Sequence, residues 1–390
     1  MRSILIALSV AIGLWAGMFA TSFSWGLYKE HIRTSIETEL SHIQIHDPSF
    51  PSDLAPELTI ANGQSLTDEI RKNKLVSGVS ARVITSAMIN SPTTAAGIII
   101  TGINPEDEEK VSSISRNLIE GNYFTDGKKN EILIGEKLAV KLRVKLHNKV
   151  VLTFQSKTGE ITAGSFRIAG IFRSRNSSFD ESTVFTRKEE IADLLGTGNE
   201  IHEIAILLKN DDACDGYAAE LQKQNPALLV QTWKDLSPEL ELVIDSFKQY
   251  MYIFIAIILL ALMFGIVNTM LMAVLERQRE IGILMAIGLN RWRLFSMIIL
   301  ETILLVMIGI PAGLLLTELS VSYFGNHGID ISAFSQGLAR YGFSNVIRPE
   351  LDASMYLPVA LMTTGAAIIS AIYPARKALK MKPAVAIRKI

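Results

Sequence analysis

The chain has 390 residues, of which 49% are hydrophobic and 20% charged, with a formal net charge of −1. Charge is scarcer than the roughly 25% typical of soluble proteins, and near-neutrality argues for neither nucleic acid nor an acidic substrate as partner. Cys214 is the single cysteine, which excludes an internal disulfide and any multi-cysteine metal or iron–sulfur site; its plain reading is a passive, half-buried residue.

Four apolar runs are long enough to cross a bilayer, which takes about 20 residues. The first lies between Arg2 and Lys29 without a charge, beyond the roughly 7–15 residues of a signal-peptide core, so an uncleaved span is expected. From Lys29 to Gln249 the pattern changes to short alternating or β-rich runs at 41–46, 97–101, 131–134, 149–154, 166–171 and 203–208. Helix-like stretches at 63–74, 106–119, 136–142, 188–195 and 211–224 lie between them. Gly121-Asn122, Asp126-Gly127 and Thr158-Gly159 read as turns. This predicts a mixed α+β domain. Pro238 suits a helix start, so helix should resume there and run into a second span between Lys248 and Glu276.

A short charged segment, 276–293, separates the second span from a third at 294–317, which only Glu301 interrupts. Pro311 should kink that span, and Gly309 and Gly313 allow close helix approach. The fourth span lies between Asp352 and Arg376. Basic residues orient the set: the last segment carries Arg376, Lys377, Lys380, Lys382, Arg388 and Lys389 with no acid, and the charged segment carries Arg277, Arg279, Arg291 and Arg293 against two glutamates. Both are expected in the cytoplasm. The large domain and a shorter loop at about 320–352 then lie outside. The expected fold class is an α-helical membrane protein with four transmembrane helices (1+3) and a large mixed α+β extracytoplasmic domain between the first and second. The expected division is 1–28 for the first helix, 29–248 for the domain and 249–390 for the rest, including the loop 276–293 and a basic tail, 375–390.

Catalytic signatures are near misses. Residues 121–129 resemble a phosphate loop, but five residues separate the glycines and Lys129 stands where a Ser or Thr would hold magnesium, so a turn is expected. His202-Glu203 lacks the second histidine of a zinc-protease helix. His42 and His46, four apart on a strand, would lie roughly 13 Å from each other; an exposed polar strand face is expected there. Asn176-Ser177-Ser178 matches a glycosylation acceptor without other signs of a secreted eukaryotic protein. Glu301 at membrane depth is by default a functional residue, yet about two turns from Arg293 it could pair with an arginine near the cytoplasmic interface. No metal ligand set, cofactor site or catalytic set is expected on this chain.

The charged segment with its flanks resembles the core of the FtsX/MacB-type ABC transporter permeases, whose pattern is close to Glu-Arg-x-Arg-Glu-Ile-Gly-x-x-x-Ala-x-Gly. Here Glu276, Arg277, Arg279, Glu280, Ile281, Gly282, Ala286 and Gly288 occupy those positions, while Met285 stands where a basic residue is common. Tyr373-Pro374-Ala375-Arg376-Lys377-Ala378 resembles the family's Pro-Ala-Arg-x-Ala tail, and Glu301, Gly309 and Gly313 fit its third span. Residues 101–108, 134–139 and 169–172 are similar to blocks of the lipoprotein-releasing LolC/LolE branch. The family has a basic amphipathic helix before its first span, and Arg2-Ser3 look like the end of one.

The resemblance implies a permease subunit beside a separate ABC ATPase, which would bind ATP and Mg, and a second permease, identical or homologous. It places the chain in a bacterial inner membrane among lipids, with the large domain in the periplasm. The work implied is lipoprotein release to a periplasmic carrier. MacB-like efflux of peptides or drugs and FtsX-like regulation of a cell-wall hydrolase are the alternatives, and a membrane-bound enzyme is disfavoured. The loop 276–293 can form an amphipathic helix against the ATPase, with Ile281, Leu284 and Gly288 as an apolar stripe and Arg277, Arg279 and Glu280 as polar contacts. The coupling set is therefore Glu276, Arg277, Arg279, Glu280, Ile281, Gly282, Leu284, Met285 and Gly288, with Glu301 as the intramembrane polar residue.

Overall fold

The computed structural model describes residues 2–124, 128–174, 176–331, 346–351 and 355–380. In chain order it begins with α1 (Arg2–Ser35), a π-helical turn (Ile36–Leu40), β1 (Ile43–His46), α2 (Phe50–Asp53), α3 (Gly63–Ile70), β2 (Val76–Asn90) and β3 (Ala95–Ile103). Then come α4 (Pro105–Glu108), β4 (Leu118–Gly121), β5 (Glu131–Gly135), α5 (Glu136–Leu142), β6 (Lys149–Gln155), β7 (Ile161–Phe172), α6 (Ser177–Ser182), β8 (Thr183–Arg187) and α7 (Lys188–Leu195). The rest is β9 (Glu203–Leu208), α8 (Cys214–Gln224), β10 (Leu229–Thr232), α9 (Trp233–Leu236), α10 (Pro238–Glu276), α11 (Gln278–Ala286), α12 (Arg291–His327), a short β11–β12 pair and α13 (Tyr356–Leu379). Two compact units result, one helical and one running from His31 to Leu242; the division falls within α1, after Glu30, and within α10, before Val243.

In the mixed unit the strands form one sheet, ordered β10-β1-β9-β2-β3-β8-β5-β7-β4, with β6 pairing both β2 and β7. β6 thereby closes a ring of six strands, β2-β3-β8-β5-β7-β6, and β9, β1 and β10 extend from the N-terminal half of β2. Closure removes edges that would otherwise expose unpaired backbone. Ile103, Ile114, Leu133, Phe172 and Phe185 pack one apolar cluster of this unit.

The six strand runs read from sequence all appear, as do the helices at α3, α5, α7 and α8. The stretch 106–119 is different: Asn104 caps a single turn, α4, through its side-chain oxygen, and the chain then passes into a 3₁₀ turn and β4. The longest strand, β2, gave no periodic signal because both of its faces are buried from Val79 to Thr85. Asp126-Gly127 lies outside the described residues.

The histidine strand is a correction. His42, Gln44 and His46 are buried, not exposed. His42 Nδ1 accepts from the Leu208 amide at 3.1 Å and its Nε2 meets Asp211 at 2.9 Å. His46 Nε2 meets the Gln44 carbonyl at 3.1 Å, and its ring stacks on Phe50, which stacks on His202. Polar residues are tolerated here because each finds a partner, Gln44 also donating to the Leu40 carbonyl at 2.9 Å, and an ion network lies beside them. Arg82 forks onto Glu108 (3.0 and 2.6 Å) and reaches Glu203 at 2.6 Å, all three buried. Burial alone would raise the Glu108 carboxyl, but the Arg82 charge and hydrogen bonds outweigh it and hold it below the ordinary glutamate value. Asn176 caps α6 and donates to Glu39 at 2.9 Å. Cys214 is buried, as its passive reading requires; burial pushes its thiol up to about 12.

The helical unit holds four helices long and apolar enough to cross a membrane, within Ala7–Leu40, Gln249–Glu276, Arg291–His327 and Tyr356–Leu379. α10 starts at Pro238, as the sequence suggested, and α12 runs through Pro311. α1 sits where glycines of α12 face it and glycines of its own face α10. A Cβ at Gly309 would stand 2.8 Å from the Ala7 carbonyl oxygen, and one at Gly313 2.8 Å from that of Ala11, so α12 lies directly on the α1 backbone. Gly13 and Gly17 in turn receive Leu262 and Ile258 of α10.

Burial pushes the His202 and His46 imidazoles below their ordinary value. His202 accepts from the Ile84 amide and donates to the Pro56 carbonyl, both at 3.1 Å, so the neutral ring is the bonded one. An unfolded chain therefore takes up protons first as pH falls through about 6.5. Stability is whole above that value and declines below it, by ~1.4 kcal/mol per pH unit for each histidine until the folded value is reached. His202→Gln can keep both bonds without titrating, so melting curves between pH 7.5 and 5.5 should show a shallower decline than wild type. An unchanged slope contradicts the assignment.

Candidate coupling site

The charged segment folds as a short helix between two turns. α10 ends at Glu276 and Arg277 leads into α11. The helix closes at Gly288, whose φ of +96° needs a residue without a side chain. There the Leu289 amide returns to the Leu284 carbonyl at 3.0 Å and the Gly288 amide to Met285 at 3.2 Å. Asn290 then starts α12, its side-chain oxygen accepting from the Trp292 amide at 3.1 Å. Ile-Gly-Leu-Asn is thus a helix stop followed by a helix start.

α11 has two different apolar faces. Ile281 and Gly282 are buried, Ile281 within the core built by Val274, Leu294 and Ile298, and Met285 and Leu289 pack half-buried against that core. The outward face carries Ile283, Leu284 and Ile287, with Ile287 80% exposed, and Trp292 at the start of α12 is 74% exposed. Arg279, Glu280, Arg291 and Arg293 are also exposed. The expected stripe of Ile281, Leu284 and Gly288 is therefore corrected: Ile281 is the anchor into the bundle and Leu284 belongs with Ile283 and Ile287 outside. Sequence periodicity missed this because 281, 283, 284, 285 and 287 are all apolar and give no single face. Met285 is explained as well, since its position here meets the core.

Glu301 accepts from Arg277 Nη1 at 3.1 Å, joining the end of α10 to the early turns of α12. The pair is part-exposed, so it positions these helices more than it stabilises them; exposed pairs contribute about 0–1 kcal/mol. Of the sequence-predicted residues the structure thus gathers Arg277, Glu301, Ile281, Gly282, Leu284, Met285 and Gly288 around one turn, with Glu276, Arg279 and Glu280 on it. The basic tail from residue 381 onward lies outside the described residues. Among the described residues no group of three or more His, Cys, Asp or Glu side chains is arranged to hold a metal ion.

Four apolar helices and a large separate domain define the class, a membrane protein with an extracellular domain. Residues 3–224 match the MacB-like periplasmic core domain and residues 252–383 the FtsX-like permease C-terminal region. The chain belongs to the FtsX/MacB-type ABC transporter permeases. It is 24% identical over 400 residues to the lipoprotein-releasing system transmembrane protein LolE of Haemophilus influenzae, covering 97% of this chain and 92% of the relative. It is 22% identical over 397 residues to LolC of Neisseria meningitidis serogroup B, with the same coverage. Among solved structures, the periplasmic region of MacB from Actinobacillus actinomycetemcomitans aligns over 53% of this chain and 95% of its own, at 13% identity and a TM-score of 0.37.

The Gly288 turn can be tested alone. A Cβ there meets nothing within 4 Å, so Gly288→Val carries only the backbone penalty, about 1–2 kcal/mol. Hydrogen exchange at the Leu289 amide should quicken roughly tenfold while amides in the middle of α12 hold their wild-type rate. Equal acceleration throughout α12 contradicts a local role.

Proposed function

We propose that this chain is the permease subunit of an ABC transporter in a bacterial inner membrane, coupling ATP hydrolysis by a separate ATPase to work in the periplasm. The observation that carries the proposal is the two-faced α11. Its Ile283, Leu284 and Ile287 side chains stand in water while Ile281, two residues away, is locked in the helical core. An exposed apolar set of this kind on a charged loop marks a docking surface, and a cytoplasmic loop between two spans is where an ATPase can reach it. ATP and Mg then belong to the partner, and a second permease, identical or homologous, completes a symmetric assembly.

Mechanically, a push on α11 cannot be absorbed by the loop alone. Ile281 passes it to the bundle core, the Gly288 turn is closed by hydrogen bonds, and Arg277–Glu301 holds the end of α10 to α12. In the 1+3 arrangement α1 and α10 carry the chain into the extracytoplasmic domain, so they are the members that transmit the displacement, a rigid-body switch in kind. The LolE and LolC relatives favour lipoprotein release to a periplasmic carrier as the work done. The MacB-like match of the domain keeps efflux as the second reading; co-purification of an outer-membrane channel instead of a lipoprotein carrier would favour it.

Ile287→Glu tests the docking face. The residue is 80% exposed, so the melting temperature of the purified chain should hold. Recovery of the ATPase in a pull-down should fall about tenfold or more, the effect of losing an apolar anchor worth at least ~1.4 kcal/mol. Undiminished recovery would show that the partner docks elsewhere.

A further inference from the structure

The ion network around Arg82 does more than fill a buried gap, because it floors a cavity of about 390 Å³ within the mixed unit. The walls come from Thr38 to Leu40 in the π-helical turn, Ile99 and Thr101 of β3, α6, and Thr183 and Phe185 of β8. The floor is Gln44, Arg82 and Glu203, which lie side by side on β1, β2 and β9; Arg82 pairs in register with Glu203. All three floor residues, with Thr101 and Thr183, are more than nine-tenths buried.

The charges in this floor do not balance. Arg82 is the single cation between two buried carboxylates, and its fork is taken by Glu108 through Nε and Nη2. Glu203 receives one bond, from Nη1 to Oε1. Its Oε2 has His46 Nε2 at 3.8 Å, beyond hydrogen-bond reach, and burial pushes that imidazole down, so His46 is neutral at pH 7. Glu39 also lines it, its carboxyl pushed up to about 7 by burial and so only partly charged, and no lysine lines it. A buried carboxylate that shares its cation and leaves one oxygen without a hydrogen bond is costly, and here it opens on a space the size of a small organic molecule. On the far wall the Thr101 and Thr183 hydroxyls have no protein hydrogen-bond partner among the described residues. They sit diagonally on β3 and β8, where Thr183 pairs with Ile99 and Thr101 with Phe185, roughly 8 Å apart by strand spacing and rise, so either can meet a second polar group of a ligand.

We propose that this cavity binds a small amino alcohol through its primary ammonium, with the ammonium on Glu203 and the hydroxyl end towards Thr101 and Thr183. A primary ammonium supplies the missing charge and three N–H donors, whereas a quaternary one supplies the charge without donors. The site is separate from the coupling helix and does not depend on what the permease moves. The same ethanolamine group can arrive free in solution or as a lipid headgroup.

The test uses the full chain, purified in detergent without amine buffers and titrated with ethanolamine hydrochloride or choline chloride while melting is followed. Ethanolamine should raise the melting temperature saturably, and choline should do no more than salt of equal ionic strength. Thr183→Val leaves the Arg82 network whole and should weaken the response about fivefold, the effect of one hydrogen bond; Glu203→Gln should abolish it. Equal responses to the two cations, no response to either, or an unaltered response in Thr183→Val would overturn the proposal, whether or not Glu203→Gln folds. Lipid nanodiscs distinguish the sources. If the headgroup is the ligand, phosphatidylethanolamine discs melt higher than phosphatidylcholine discs and added ethanolamine changes only the latter. If the free amine is the ligand, the two discs melt alike and both respond.

Discussion

The helical unit depends on one constraint, that backbones must touch where lipid offers no hydrophobic drive to hold helices together. Gly309 and Gly313 bring α12 onto the Ala7 and Ala11 carbonyls, and Gly13 and Gly17 make room on α1 for Leu262 and Ile258. α1 is thereby clasped on two sides by the helices that flank the charged loop. Hydroxyls in these helices turn inward to their own backbone: Thr21 to Gly17, Thr302 to Ile298, Thr317 to Gly313 and Thr363 to Val359. That satisfies them locally. The Ile281 anchor of α11 makes the loop part of this close-packed bundle.

The mixed unit solves a different problem, that of polar residues inside a sheet. β2 is buried on both faces over its middle, so Arg82 has no route to water and is held between Glu108 and Glu203 instead. That network ties β2, a strand of the ring, to α4 and to β9, which extends the sheet beyond the ring. Replacing such a network with apolar residues is often neutral for stability; this one faces the polar cavity.

Much of this was legible in the sequence, and the exceptions have physical causes. The spans, the glycines and the pairing of Glu301 with an arginine followed from charge placement and spacing. β2 did not, because alternation vanishes when both faces are buried, and the turn from α4 to β4 was masked by helix-like spacing of Val111 and Ile114. The histidine strand misled for the converse reason: polar side chains signal exposure only where no partner in the fold awaits them, and here Asp211 and Gln44 did. In α11 the outward residues were named only in part, since apolar residues at 281, 283, 284, 285 and 287 point to no single face until the helix's neighbours are present.

The central claim of the proposed function is that the coupling helix and the mixed domain face opposite sides of the membrane. Impermeant maleimide labelling of single-cysteine variants tests it most directly, because Cys214 is buried and its thiol is pushed up to about 12, leaving the background silent. Ile161→Cys, at a position 82% exposed on the mixed domain, should label in intact spheroplasts. Ile287→Cys should label only after permeabilisation. Labelling of Ile287→Cys from outside, or of both positions from the same side, would contradict the account.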